Sequence, residues 1–379
     1  MTLPNLRSVA CLSLLPALWS ALVACDAVPG GGPGVNDDLT VDSFRTSTNS
    51  RGSFSVDFDV PENADHFQIT AIGDRDEYVY VEELWDPSGE RVVFWRDWWD
   101  NPRSLNNAIF GDRVAAFDWP SRNVDGKLTA GTWTLVGSMT DADYYYATSS
   151  GLEVSTAYKV DGNFDDGTVA VRIVWADGVD ADPAVVAAVE DAVERWREVW
   201  TGAGITLRER YVSSTLDPEL RFAWNGDDPD VERQSQSKDE DELQLIVGDQ
   251  VGRTLGTYGV AGGIPGTIMP SGSTYVVLSW LAHAGRNAEF DADEIRLMGE
   301  TMAHEVGHYT GLFHPVESGY DTWDALADTP ECSGWRTCED LLGTNVMYPY
   351  SICGGGTCLA TDQLTDDQSG VMNRYVGAL

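Results

Sequence analysis

Residues 304–314 read His304-Glu305-Val306-Gly307-His308-Tyr309-Thr310-Gly311-Leu312-Phe313-His314. Upstream, Ile295, Met298, Met302, Val306 and Tyr309 recur at helical spacing, and Asp291 or Asp293 can cap the helix start. Residues four apart on such a helix are separated by about 40° of rotation and roughly 6 Å of rise. His304 and His308 therefore project side by side. Gly311 can adopt the left-handed conformation that ends a helix, after which the chain turns and His314 can approach from another direction. Three imidazole nitrogens around Zn²⁺ leave a fourth position for water, the arrangement of a catalytic rather than a structural site. Glu305 faces that position and is the expected general base. The chain has 5 histidines, and three fall in this stretch. Chance placement of the three histidines, the glutamate and the glycine at these spacings is on the order of 10⁻⁵. His66 and His283 lack such company and read as structural.

These eleven residues match the long signature of the metzincin zinc peptidases, and Asn345-Val346-Met347-Tyr348-Pro349 resembles that family's methionine turn. The resemblance covers 165–379. It implies an α+β fold: a twisted mixed sheet with the active-site helix behind it, a small C-terminal subdomain, and Met347 beneath the metal. The implied activity is hydrolysis of peptide bonds in extracellular proteins. Within the metzincins, Gly307 to His314, then Asp328-Thr329-Pro330, the clustered cysteines, and Leu364-Thr365 with Gln368 and Met372 resemble the pappalysin family. The sequence departs from that family in two places. Pro349 stands where a tyrosine is usual, flanked by Tyr348 and Tyr350, and Gly319-Tyr320 occupies a region where a cysteine is usual. The stretch from Leu255 to Pro265 resembles the family's edge strand, to which an extended peptide adds by backbone hydrogen bonds; a flexible glycine loop is the other reading. The resemblance and Asp321, Asp324 and Asp328 also suggest structural Ca²⁺, with solvated carboxylates as the alternative, since no EF-hand spacing occurs.

The N-terminus gives an address. Arg7 precedes a largely apolar run from Val9 to Ala24, too short to favour a spanning helix. It closes on Leu22-Val23-Ala24-Cys25, which resembles the lipobox of bacterial lipoproteins. That resemblance implies a signal peptide over 1–24, a lipid on Cys25, and a membrane-anchored chain of the bacterial cell envelope facing outside the cytoplasm. Ordinary signal cleavage with secretion is the alternative. Residues 25–43, with Pro29-Gly30-Gly31-Gly32-Pro33-Gly34, read as a flexible tether.

From 44 to 157 the pattern is strand-like. Phe54, Val56, Phe58 and Val60 alternate with polar residues, Tyr78 to Val81 and Thr132 to Val136 are rich in β-formers, and Asp86-Pro87-Ser88-Gly89 is a turn. A small β-sandwich is expected. Trp95, Trp98 and Trp99 read as packing residues or as a ligand patch. From about 165 the pattern becomes mixed. Val169, Val171, Ile173 and Trp175 alternate; Asp182-Pro183 opens a helix whose apolar face is Val185, Val189, Val193 and Trp196. Strands are expected at 204–212, 243–247 and Tyr275 to Leu278, with an exposed acidic loop from Asp227 to Glu242.

With 24 basic against 61 acidic residues, the formal charge of −37 repels nucleic acid and attracts cations. Cys332, Cys338, Cys353 and Cys358 crowd together, which in an exported protein suggests two disulfides in one of three pairings. A Cys₄ zinc site fits their spacing poorly. The rival to peptidase function is a surface binding protein that works through the β-sandwich and carries a silent zinc site; the intact Glu305 argues against it.

Overall fold

The computed structural model describes residues 39–75, 77–96, 106–141, 146–214, 229–237, 241–252, 254, 256–284, 289–354 and 356–379. The expected signal peptide, Cys25, the tether up to residue 38, Trp98, Trp99 and Leu255 lie outside these residues.

The first half consists of two antiparallel four-stranded sheets. Strands β1 (Leu39–Ser47), β8 (Gly151–Lys159), β3 (His66–Gly73) and β6 (Val114–Trp119) make one, in that order. Strands β2 (Ser53–Val60), β7 (Gly131–Thr140), β4 (Tyr78–Trp85) and β5 (Arg91–Phe94) make the other. Alternate residues point inward, so Phe54, Val56, Phe58 and Val60 of β2 meet Phe67 and Ile69 of β3 in one core. The expected turn forms between β4 and β5: Gly89 donates its N–H to the Asp86 carbonyl and takes φ 83°. Trp95 is half-buried and packs against the sandwich core.

One boundary differs from expectation. Residues 39–43, read as the end of the tether, belong to β1, where Leu39 and Val41 pair with Lys159 and Ala157. Both pack in a small cluster with Ile268 and Val376, so an apolar stripe overrides the polar, glycine-rich text just upstream.

The second half is built on a five-stranded sheet. Strands β9 (Gly167–Trp175), β10 (Ile205–Ser213), β11 (Leu243–Gly248) and β13 (Val276–Ser279) run parallel, and β12 (Gly259–Ala261) pairs antiparallel with β13 at the edge, in the order β10-β9-β11-β13-β12. Helix α1 (Pro183–Thr201) is capped by Asp182, whose side chain accepts the Ala184 N–H, with Pro183 in the first turn. The expected loop from Asp227 to Glu242 is corrected in part: Pro229–Ser235 is a short helix, α2, with Val231 and Gln234 buried. Glu242 is buried because it is paired with Arg210. Helix α3 (Trp280–His283) leads toward α4 (Ala292–Tyr309), whose start is closed by a capping box between Asp291 and Glu294. Helices α5 (Trp335–Leu342) and α6 (Asp366–Arg374), with the hairpin of β14 (Cys353–Gly354) and β15 (Thr357–Cys358), complete the chain.

Of the three possible cysteine pairings, the fold adopts Cys332–Cys338 and Cys353–Cys358. Among the described residues, no helix is long and apolar enough to cross a membrane.

Candidate metal centre

Helix α4 is held from two sides. Its apolar stripe of Met298, Met302, Val306 and Tyr309 joins the core beneath the sheet. On another face, buried Glu300 accepts from Arg195 of α1 at 2.8 Å and from Arg296 at 2.7 Å, and also from the backbone N–H of Thr361 at 3.1 Å. A carboxylate removed from water in this way needs all of these partners. The helix is thereby fixed in rotation, and His304, Glu305 and His308 take up their positions from it. The helix C-cap is Thr310, and Gly311 follows with φ 106°. The chain reverses there and brings His314 back.

The three histidines converge. Nε2 of His314 lies 3.1 Å from Nε2 of His308 and 3.3 Å from Nε2 of His304. Each ring is oriented through its other nitrogen. Nδ1 of His304 donates to the Val346 carbonyl at 2.7 Å, Nδ1 of His308 to the Leu312 carbonyl at 2.7 Å, and Nδ1 of His314 to the Glu317 carboxylate at 3.1 Å. These bonds fix the tautomer, leaving all three Nε2 lone pairs aimed at one point. Burial pushes His304 down to about 3, with His314 adding to the effect, and drives His308 well below its usual value, so both rings stay neutral. Three imidazole nitrogens therefore face one another at close range. Their spacing matches the edge of a tetrahedron with bonds of about 2.0–2.1 Å, the usual zinc–imidazole length. The donor set therefore fits zinc.

Glu305 lies beside the triad, and burial pushes its carboxyl up to about 8. Strand β12 crosses directly over it: a methyl group on Gly259 would come within 2.6 Å of Glu305 Cγ. Met347 is fully buried in a turn from Asn345 to Tyr348, against Gly307 of helix α4. Asn345 Oδ1 accepts the Met347 N–H at 2.9 Å, and Asn345 Nδ2 donates to Gln368 of α6 at 2.8 Å. The same turn supplies the Val346 carbonyl that orients His304. A cavity of about 220 Å³ opens beside His304 and Glu305, lined by Tyr258, Leu297, Thr301, Pro349 and Tyr350 among others.

Sequence reasoning missed Glu317. It reaches His314 because the turn from Glu317 to Thr322 is closed by Glu317 N–H donating to the Thr322 carbonyl, with Tyr320 at φ 57°. No periodicity signals such a turn. The suggested calcium ligands Asp321, Asp324 and Asp328 do not gather: among the described residues, the histidine triad is the one group of three or more potential ligands whose atoms meet. Asp324 is instead held by Thr329 and the Leu326 N–H. His66 Nδ1 donates to the Pro120 carbonyl, and His283 donates from Nδ1 to the Ser279 carbonyl and meets the Thr301 hydroxyl through Nε2, so both are tied into the fold away from the triad.

No family model matches this chain. Among curated proteins it is similar to an extracellular metalloprotease of Colletotrichum graminicola, 26% identical over 176 residues, covering 43% of this chain and 59% of that protein. It is also similar to extracellular metalloprotease 1 of Coccidioides posadasii, 26% identical over 149 residues, covering 38% of this chain and 49% of that protein. The chain thus spans about half the length of these relatives. Among solved structures, metalloproteinase-II from Bacteroides fragilis aligns with a TM-score of 0.28 and 12% identity, over 46% of this chain and 56% of that one. This chain thus combines distant similarity to extracellular metalloproteases with a three-histidine site suited to zinc.

Proposed function

We propose that the chain is a secreted zinc endopeptidase of the metzincin type, nearest to the pappalysins, that hydrolyses peptide bonds of extracellular proteins. The observation that carries this reading is the convergence of His304, His308 and His314 Nε2 atoms with Glu305 alongside. A bound zinc ion would supply a Lewis acid that acidifies water toward a pKa of about 7 and polarises a carbonyl. The chain's own residues do the rest. An extended substrate pairs with the open edge of β12, which lays its backbone across Glu305. The cavity beside His304 receives a neighbouring side chain. Glu305 takes the proton of the attacking water and delivers it to the leaving amine. Met347 fills the space under the triad.

In this reading residues 1–24 are a signal peptide, Cys25 carries a lipid, and the tether holds the folded part off a bacterial envelope membrane. The sandwich precedes a catalytic region that begins near residue 165.

The test compares the rate of protein cleavage by the chain from Asp26 onward with that of its Glu305→Ala twin, each assayed for zinc. One zinc in both, with activity only in the first and lost to a chelator, is the expected result. A chain without zinc affinity, or a twin as fast as its parent, would overturn the proposal.

A further inference from the structure

Strand β3 is buried on both faces. Phe67, Ile69 and Ala71 point into the sandwich core, so the intervening Gln68 and Thr70 face the other way and would meet water if the sandwich stood alone. Instead they are 1% and 2% exposed. The segment between β12 and β13 covers them. Gln68 Oε1 accepts the Ile268 N–H at 2.7 Å, and its Nε2 donates to the Gly266 carbonyl at 3.0 Å and to Asp118 at 2.8 Å. Thr70 and Thr267 share a hydroxyl hydrogen bond of 2.5 Å.

That segment also holds the end of α4. Gly266 donates its N–H to the Tyr309 carbonyl at 2.8 Å, and the Tyr309 hydroxyl donates to the Thr267 carbonyl at 2.6 Å. Tyr309 directly follows His308. Around this seam, Leu39 and Ala157 pack on Ile268 and Val376. The fully buried Lys159 donates to the carbonyls of Asn373, at 2.9 Å, and Ala378, with Asp161 at 3.3 Å as its counter-charge. Arg122 donates to the Ala325 carbonyl at 3.1 Å.

We propose that the sandwich is a permanent platform of the catalytic half, and that Gln68 is a positioning residue seating residues 266–268 against the end of the zinc helix. A detachable domain presents surfaces that tolerate water when it leaves, whereas here separation would strip partners from a buried amide, a buried amine and five backbone groups. A blocking prodomain would place a group at the zinc site. Among the described residues lining the cleft at the triad, none comes from the sandwich.

The test uses the full chain with a protease site inserted after Gly162, in the exposed turn joining the halves, and nicked there. The nicked halves are expected to co-elute in gel filtration and to cleave protein at a rate within twofold of the uncut chain. Separation of the halves, or a rise in rate on nicking, overturns the platform. For the positioning role, Gln68→Met is compared with Thr70→Val by amide hydrogen exchange. Protection at Ile268 should fall at least tenfold in Gln68→Met while Phe67 and Ile69 stay protected, zinc content holds, and kcat drops more than KM changes. Unchanged exchange at 266–268 in both variants sinks it. The proposal rests on the peptidase reading for its rates alone. Co-elution and exchange need no activity, so the two can fail separately.

Discussion

The sulfur of Met347 fills the space that a side chain on Gly307 would need: a methyl group there would lie 2.7 Å from Met347 Sδ. The glycine of the helix and the methionine of the turn are thus two sides of one contact, and both are buried. Gly307→Ala gains helix propensity of about 1 kcal/mol but must push apart a packed core. The expected net effect is a loss of about 1–3 kcal/mol in urea unfolding, with weakened zinc retention. Adding Met347→Ala should restore part of that loss. A double-mutant cycle with no coupling between the two positions would show that the contact has no energetic weight.

Gly259 plays a different part. Its α-carbon passes so close to Glu305 that a methyl group would press on the glutamate stem at 2.6 Å. Gly259→Ala should leave the melting temperature within a few degrees of the parent and, on the proposed role of Glu305 as general base, lower kcat/KM by about tenfold or more, because that carboxylate is displaced. An unchanged rate would mean that the strand yields and Glu305 does not.

Glu317 orients His314 from outside the triad. Partners of this kind typically contribute 10–100-fold to metal affinity. Competition against a chelator should show zinc binding by Glu317→Ala weakened within roughly that range, with Glu317→Gln closer to the parent. Equal affinity in all three would remove Glu317 from the site.

Asp324 gives a pH prediction. Burial, against the pull of Thr329 and the Leu326 N–H, pushes its carboxyl up to about 7, helped by the charges of Asp328 and Asp367. An unfolded aspartate titrates near 3.9. Between these values the folded state keeps a proton that the unfolded chain has lost, so stability falls as pH rises from about 4 to about 7. Asp324→Asn should therefore be the more stable protein at pH 8, by up to a few kcal/mol, with the advantage vanishing near pH 4. Parallel thermal melts at the two pH values check it, and a difference independent of pH would place the cause elsewhere.

What the sequence makes legible follows from local rules. Helix α4, its Asp291 cap and the paired projection of His304 and His308 are all consequences of a 3.6-residue repeat, and each appears where periodicity places it. The alternation in β2 and β9 likewise marks strands, though β9 is covered on both faces, which alternation alone does not reveal. Missed features depend on distant or irregular backbone. Glu317 needs a turn through a left-handed Tyr320. The join between β3 and the 266–268 segment links residues about two hundred positions apart. Neither the start of β1 at Leu39 nor the short α2 helix could outweigh the polar text around them, because the contacts that bury Leu39 and Val231 are tertiary.

Gln68 grips atoms that every residue possesses, the carbonyl of position 266 and the amide of position 268. Mutation rewrites side chains and leaves those atoms in place, proline at 268 excepted. The grip of Gln68 itself is thus indifferent to side-chain identity, whereas Gly266 leaves no room for a side chain beside the Tyr309 ring, and Thr267 and Ile268 add side-chain contacts of their own. Residues that line the cleft, such as Tyr258, can then change character without touching the two backbone bonds that Gln68 makes. A designer could use that freedom at the cleft while holding Gln68 and Gly266 fixed.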